Sequence, residues 1–163
     1  MFASLLWRGP VDPRSPALGE IRYGRRVKLY AFDGITEALD LVPLAARRAL
    51  DLAGLKLSRE GWSSLSHEAR IELVELGAHE RVDTRRVAAI CERASPRPES
   101  LAVVSDPDPT TPPAEVVTVF APLGAIATRW AALSTLDRYA LAKVAQRPRP
   151  ERVAAAWAEI VGA

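Results

Sequence analysis

The sequence predicts an all-α fold, and three observations carry that expectation. Apolar residues recur at helical spacing in several separate stretches, the first being Val42, Ala46, Ala49, Leu50 and Ala53. Capping residues stand where such stretches begin: Ser58, Ser66, and Asp83 or Thr84. Strand-like alternation occurs at Val27-Lys28-Leu29-Tyr30-Ala31-Phe32, which reads as one extended segment too isolated to build a sheet.

Residues 1–27 hold Pro10, Pro13 and Pro16 with three glycines and no periodicity, so they read as an irregular N-terminal arm. A single helical domain is expected over 28–163. Its first helix has Pro43 at its first position, where a missing N–H leaves no hydrogen bond unmade. Arg47 and Asp51, four apart, can pair on the side away from the apolar stripe, and Gly54 is placed to cap the end. Ser58 opens a short turn that runs through Trp62. Ser66 opens the next helix, with Leu65, Ala69, Leu73 and Leu76 facing inward and Gly77 as the stop. A third helix turns Val87, Ile90, Cys91 and Ala94 inward and ends before Pro96 and Pro98.

Residues 95–113 form a Pro-rich linker, a density of Pro that forbids helix and disfavours sheet. Helical segments follow at about 114–121, 125–132 and 135–146. The run Gln146-Arg147-Pro148-Arg149-Pro150 breaks the pattern. A last helix starts at Glu151 and puts Val153, Trp157, Ile160 and Val161 on one face. The two halves, about 40–94 and 114–162, resemble each other at a shift of 68 residues. Leu55, Trp62, Leu65, Ser66, Arg70 and Leu73 match Leu123, Trp130, Leu133, Ser134, Arg138 and Leu141. The unit is a short helix ending in Trp, a Leu-Ser staple and cap, and an amphipathic helix. Two pseudo-equivalent halves sharing one core are expected, with Trp62, Trp130 and Trp157 as anchors. Arg70 and Arg138 are each expected to hold a carboxylate or a backbone carbonyl.

Composition excludes several classes. With 48% apolar and 26% charged residues, the chain is neither disordered nor collagen-like. One cysteine, Cys91, allows no internal disulfide, and a cytoplasmic protein is the expectation. No apolar run approaches a membrane span, and the first residues make a poor signal peptide. His67 and His79 have no partner at metal-ligand spacing. No phosphate loop or nucleophile elbow is present, and Cys91 reads as a buried thiol on an apolar helix face.

The net charge of +2 conceals an uneven spread. Residues 1–32 carry six basic and two acidic groups, residues 33–95 nine and eleven, and residues 96–163 seven of each. The cluster Arg22, Arg25, Arg26 and Lys28 is the basic patch of note, and a nucleic-acid-binding arm is the alternative reading it carries. Nineteen of the 22 cations are Arg, a usage that fits a G+C-rich genome.

Two separated blocks stand out. The first runs from Val42 to Leu57 and is followed by Trp62; within it stand Pro43, Arg47, Leu50, Asp51, Gly54, Lys56 and Leu57. The second is Leu133-Ser134-Thr135-Leu136-Asp137-Arg138-Tyr139-Ala140-Leu141-Ala142-Lys143-Val144, followed by Arg147-Pro148. Both blocks resemble the nitrate reductase associated protein family, and the residues named in the first, with Trp62, stand at that family's positions. The resemblance covers about residues 29–160, the linker excepted. Asp40-Leu41 stands where the family tends to have Arg-Cys, and Ala49 where it has Lys.

The resemblance implies a small, cytoplasmic, non-catalytic accessory factor for assimilatory nitrate reductase. Such a factor would bind the enzyme and carry no cofactor of its own. Arg47, Arg48, Asp51 and Lys56, charged and opposite the apolar stripe, are then the expected partner surface, with Arg70 and Arg138 second.

Overall fold

Helix starts are set locally, by side chains that accept the N–H groups a first turn leaves unpaired. In the computed structural model, which describes residues 27–162, Ser58 Oγ accepts from Gly61 N at 3.0 Å and Ser66 Oγ from Ala69 N at 3.2 Å. Asp83 accepts from Arg86 N at 3.0 Å and Ser134 from Asp137 N at 3.1 Å. These caps open α2 (Arg59–Ser64), α3 (His67–Ala78), α4 (Thr84–Cys91) and α7 (Thr135–Gln146). The other helices are α1 (Leu44–Ala53), α5 (Ala114–Phe120), α6 (Ile126–Trp130) and α8 (Pro150–Ala156). A π-helical turn, Trp157–Val161, continues α8. The all-α expectation holds. The proposed N-terminal arm lies outside the described residues, apart from Val27.

Four local expectations need correction. Pro43 is the N-cap of α1 and not its first helical residue. A proline cap has no acceptor, and Asp33 Oδ2 supplies one from afar, taking Leu44 N at 3.0 Å. The extended segment stops at Tyr30, because Ala31–Asp33 coil into a 3-10 turn. Glu99–Ser100, inside the Pro-rich linker, form a strand, β2, antiparallel to β1 (Leu55–Lys56). Pro96 and Pro98 precede this strand, so its own N–H groups remain free to pair. Gly77 does not stop α3; it lies inside the helix, where α1 crosses. A Cβ on Gly77 would stand 1.7 Å from the Ala45 carbonyl oxygen.

Gly54 does cap α1, in the left-handed region at φ 64°. Its carbonyl accepts from Leu101 N at 2.8 Å, and Val104 N donates to Asp51 O at 3.0 Å. The linker is thereby strapped along the end of α1.

The interior divides into two hydrophobic clusters, where one shared core was expected. The first gathers Trp62, Leu73, Val74, Val87 and Ile90 around α1. The second gathers Phe120, Ile126, Trp130, Leu141 and Val144. Helix α7 belongs to both: Leu136, Tyr139 and Ala140 face the first, Leu141, Val144 and Ala145 the second. A helix covered on two sides keeps little polar surface, which is why Arg138 is drawn inside with them. Trp157 is half-buried and stacks on Phe120, the ring centroids 6.0 Å apart.

Candidate functional site

A groove of about 620 Å³ opens where the start of α1, the α2 corner and the end of α7 meet. Its cationic lining is Arg47, Arg59, Lys143, Arg147 and Arg152, and its carboxylates are Asp33 and Asp40. Geometry subtracts further from the acidic side. Asp33 is committed to Arg152, at 2.9 Å, and to Leu44 N. Burial pushes the Asp33 carboxyl above its ordinary range, outweighing the Leu44 N–H and the Arg152 charge that pull it down. On the basic side Lys143 is tied to Asp51 at 2.8 Å. Among the described residues, no hydrogen bond or ion pair engages the exposed side chains of Arg47, Arg59 and Arg147.

The loop forming one lip is held rigidly from beneath. Leu39 is buried at φ 53°, a conformation that costs a β- or α-preferring residue of order 1 kcal/mol. Two donors fix it: Trp62 Nε1 at 2.8 Å and Arg70 Nη1 at 3.3 Å, both to the Leu39 carbonyl. Asp40 and Leu41 follow directly, and Leu41 is left 50% exposed.

The structure separates the charged residues singled out in the sequence. Arg47 lines the groove. Arg48, its neighbour, is fully buried and so is no part of an exposed partner surface. One residue along a helix turns the side chain by about 100°, which takes Arg48 off the Arg47 face. It donates to the carbonyls of Gly77, His79 and Glu80 and forks onto Asp106. Asp51 does not pair with Arg47. Tyr139 Oη donates to it at 2.7 Å and Lys143 joins it, so it fastens α1 to α7. Lys56 pairs with Glu99 across the β1–β2 ladder, outside the groove.

Arg138 is 6% exposed and likewise interior. It donates to Leu133 O at 2.5 Å, as Arg70 donates to Leu65 O at 3.1 Å. Each arginine thus holds the carbonyl five residues earlier, the second of the two roles expected of them, a carboxylate or a backbone carbonyl. The indoles of Trp62 and Trp130 also each donate to a loop carbonyl, that of Leu39 and that of Asp108.

Sequence reasoning missed Arg59, Lys143, Arg147, Arg152 and Asp33 as lining residues. Lys143 and Arg147 carried a usable signal, being four apart at the end of a helix. Arg152 and Asp33 carried none, since 119 residues separate them. Of the basic arm cluster, Arg22, Arg25 and Arg26 lie outside the described residues. Lys28 is spent on Asp137 at 2.9 Å and lies over the Tyr30 ring. Cys91 is buried, and burial pushes its thiol up to about 11. Among the described residues no group of His, Cys, Asp and Glu could hold a metal ion, and no helix is long and apolar enough to cross a membrane.

The conserved nitrate reductase-associated protein family matches residues 29–159, a span that includes every wall of the groove. The chain belongs to this family. No curated protein and no solved structure matches it. In this nitrate reductase-associated protein, Arg47, Arg59 and Arg147 give the groove an exposed basic lining.

Proposed function

We propose that this protein is a cytoplasmic, non-catalytic accessory factor that binds assimilatory nitrate reductase and supports its assembly or activity. The contact surface is the groove, with Arg47 among its exposed cations. The observation that supports the reading is the family match over residues 29–159, within which the groove lining runs from Asp33 to Arg152. The rigid Leu39 loop and the α1–α7 tie through Asp51 suit a preformed binding surface, which needs little ordering on association.

The test is capture of nitrate reductase from the native cell on the immobilised full chain. Wild type retains the enzyme, and Arg47→Glu retains at least tenfold less with an unchanged melting temperature. Capture that excludes nitrate reductase altogether defeats the reading.

A further inference from the structure

The groove's charge states what kind of partner surface it takes. Arg47, Arg59 and Arg147 are exposed, and among the described residues no ion pair or hydrogen bond engages their side chains. An unpaired guanidinium offers a planar fork of donors that matches a carboxylate. Beside them stands Leu41, half-exposed on a lip whose backbone is pinned by Trp62 and Arg70. We infer that the groove binds an acidic segment of a protein partner, its carboxylates on Arg47, Arg59 and Arg147 and an apolar side chain against Leu41. This rests on the accessory reading above and names the chemistry of the surface recognised.

Three other occupants fit less well. Residues 1–26 carry five basic and two acidic groups, a charge that does not complement this lining. A single inorganic anion does not fill about 620 Å³ or span separate arginines on α1, α2 and the end of α7. Single-stranded nucleic acid stacks its bases on exposed aromatic rings. The groove's aromatic residue, Trp62, is buried beneath it, and Asp33 and Asp40 stand in its walls.

The probe is a fluorescent ten-residue peptide of alternating Glu and Leu, titrated with the full chain by anisotropy. A Lys/Leu peptide and a deoxythymidine oligonucleotide serve as comparisons. Binding of the Glu/Leu peptide should weaken at least tenfold between 50 and 500 mM salt, about the loss expected as screening tightens. Arg47→Glu and Arg147→Glu should each weaken it at least tenfold, whereas Arg93→Glu, exposed and outside the groove, should not. Thermal melts establish that the variants fold. Absent binding, equal loss with Arg93→Glu, or tighter binding of the oligonucleotide overturns the inference. The two readings fail separately. Peptide binding without capture of nitrate reductase removes the partner and keeps the groove; capture unaffected by Arg47→Glu and Arg147→Glu removes the groove and keeps the partner.

Discussion

Arg48 of α1 forks onto Asp106, 58 residues later in the chain, with Nε–Oδ1 and Nη2–Oδ2 both 2.7 Å. The guanidinium is fully buried and also takes the carbonyls of Gly77, His79 and Glu80, where α3 ends. One side chain therefore satisfies the end of α3 and fastens the Pro-rich linker to α1. Glu80 extends the tie, because Thr135 at the start of α7 hydrogen-bonds to it.

Removing one partner of such a pair leaves an uncompensated buried charge. Asp106→Ala should destabilise the fold by about 3 kcal/mol, the low end for a buried pair because Asp106 is partly exposed. Urea unfolding followed by circular dichroism measures it. A loss under about 0.5 kcal/mol, the scale of a surface pair, would show that the linker clasp contributes nothing.

Gly77→Ala separates helix propensity from packing. Propensity alone favours Ala by about 1 kcal/mol within a helix. The new Cβ would meet the Ala45 carbonyl at 1.7 Å, and backbone cannot step aside as a flexible side chain can. The expected outcome is destabilisation by about 3 kcal/mol, the upper range for overpacking, seen as a lower urea midpoint. A stabilised variant would mean that α1 and α3 do not approach this closely.

Cys91 tests the burial of α4. Its thiol is fully enclosed and pushed up to about 11, so at neutral pH it is neither accessible nor ionised. A chromogenic disulfide reagent at pH 8 should label it only after denaturation. Immediate stoichiometric labelling of the native protein would contradict the packing of α4.

Asp137 governs part of the acid stability. Burial pushes its carboxyl up, but hydrogen bonds from Ser134, Tyr30 and Lys28 outweigh that and hold it below 3.8. The folded protein then binds this proton less readily than the unfolded chain. Its contribution is present above pH 3.8 and is lost as pH falls through the lower folded value. Asp137→Asn should lower the melting temperature at pH 7 and narrow its gap from wild type as pH falls toward 3. A gap constant across that range would assign the loss to something other than the charge.

Much of the fold was legible because its causes are local. Ser58, Ser66, Asp83 and Ser134 sit within three residues of the N–H groups they accept, so spacing alone revealed four helix starts. The inward set Val87, Ile90 and Cys91 followed from periodicity. The site was less legible. Arg47 does lie on the exposed face of α1, but Arg48 and Asp51, expected there with it as charged residues opposite the apolar stripe, are drawn into tertiary contacts.

The sequence by itself determined that the chain is helical, where most helices begin, which apolar residues face inward, and that the two blocks resemble one family. Hydrogen bonds across three or four residues and a period of 3.6 need no distant partner. Only the tertiary structure decided which charges remain in solvent. An arginine's fate depends on the carboxylates and carbonyls brought to it, and those of Arg48 come from 29 to 58 residues away. The same folding brings Arg147 and Arg152 beside Arg47, which makes a basic groove of residues that no local spacing relates.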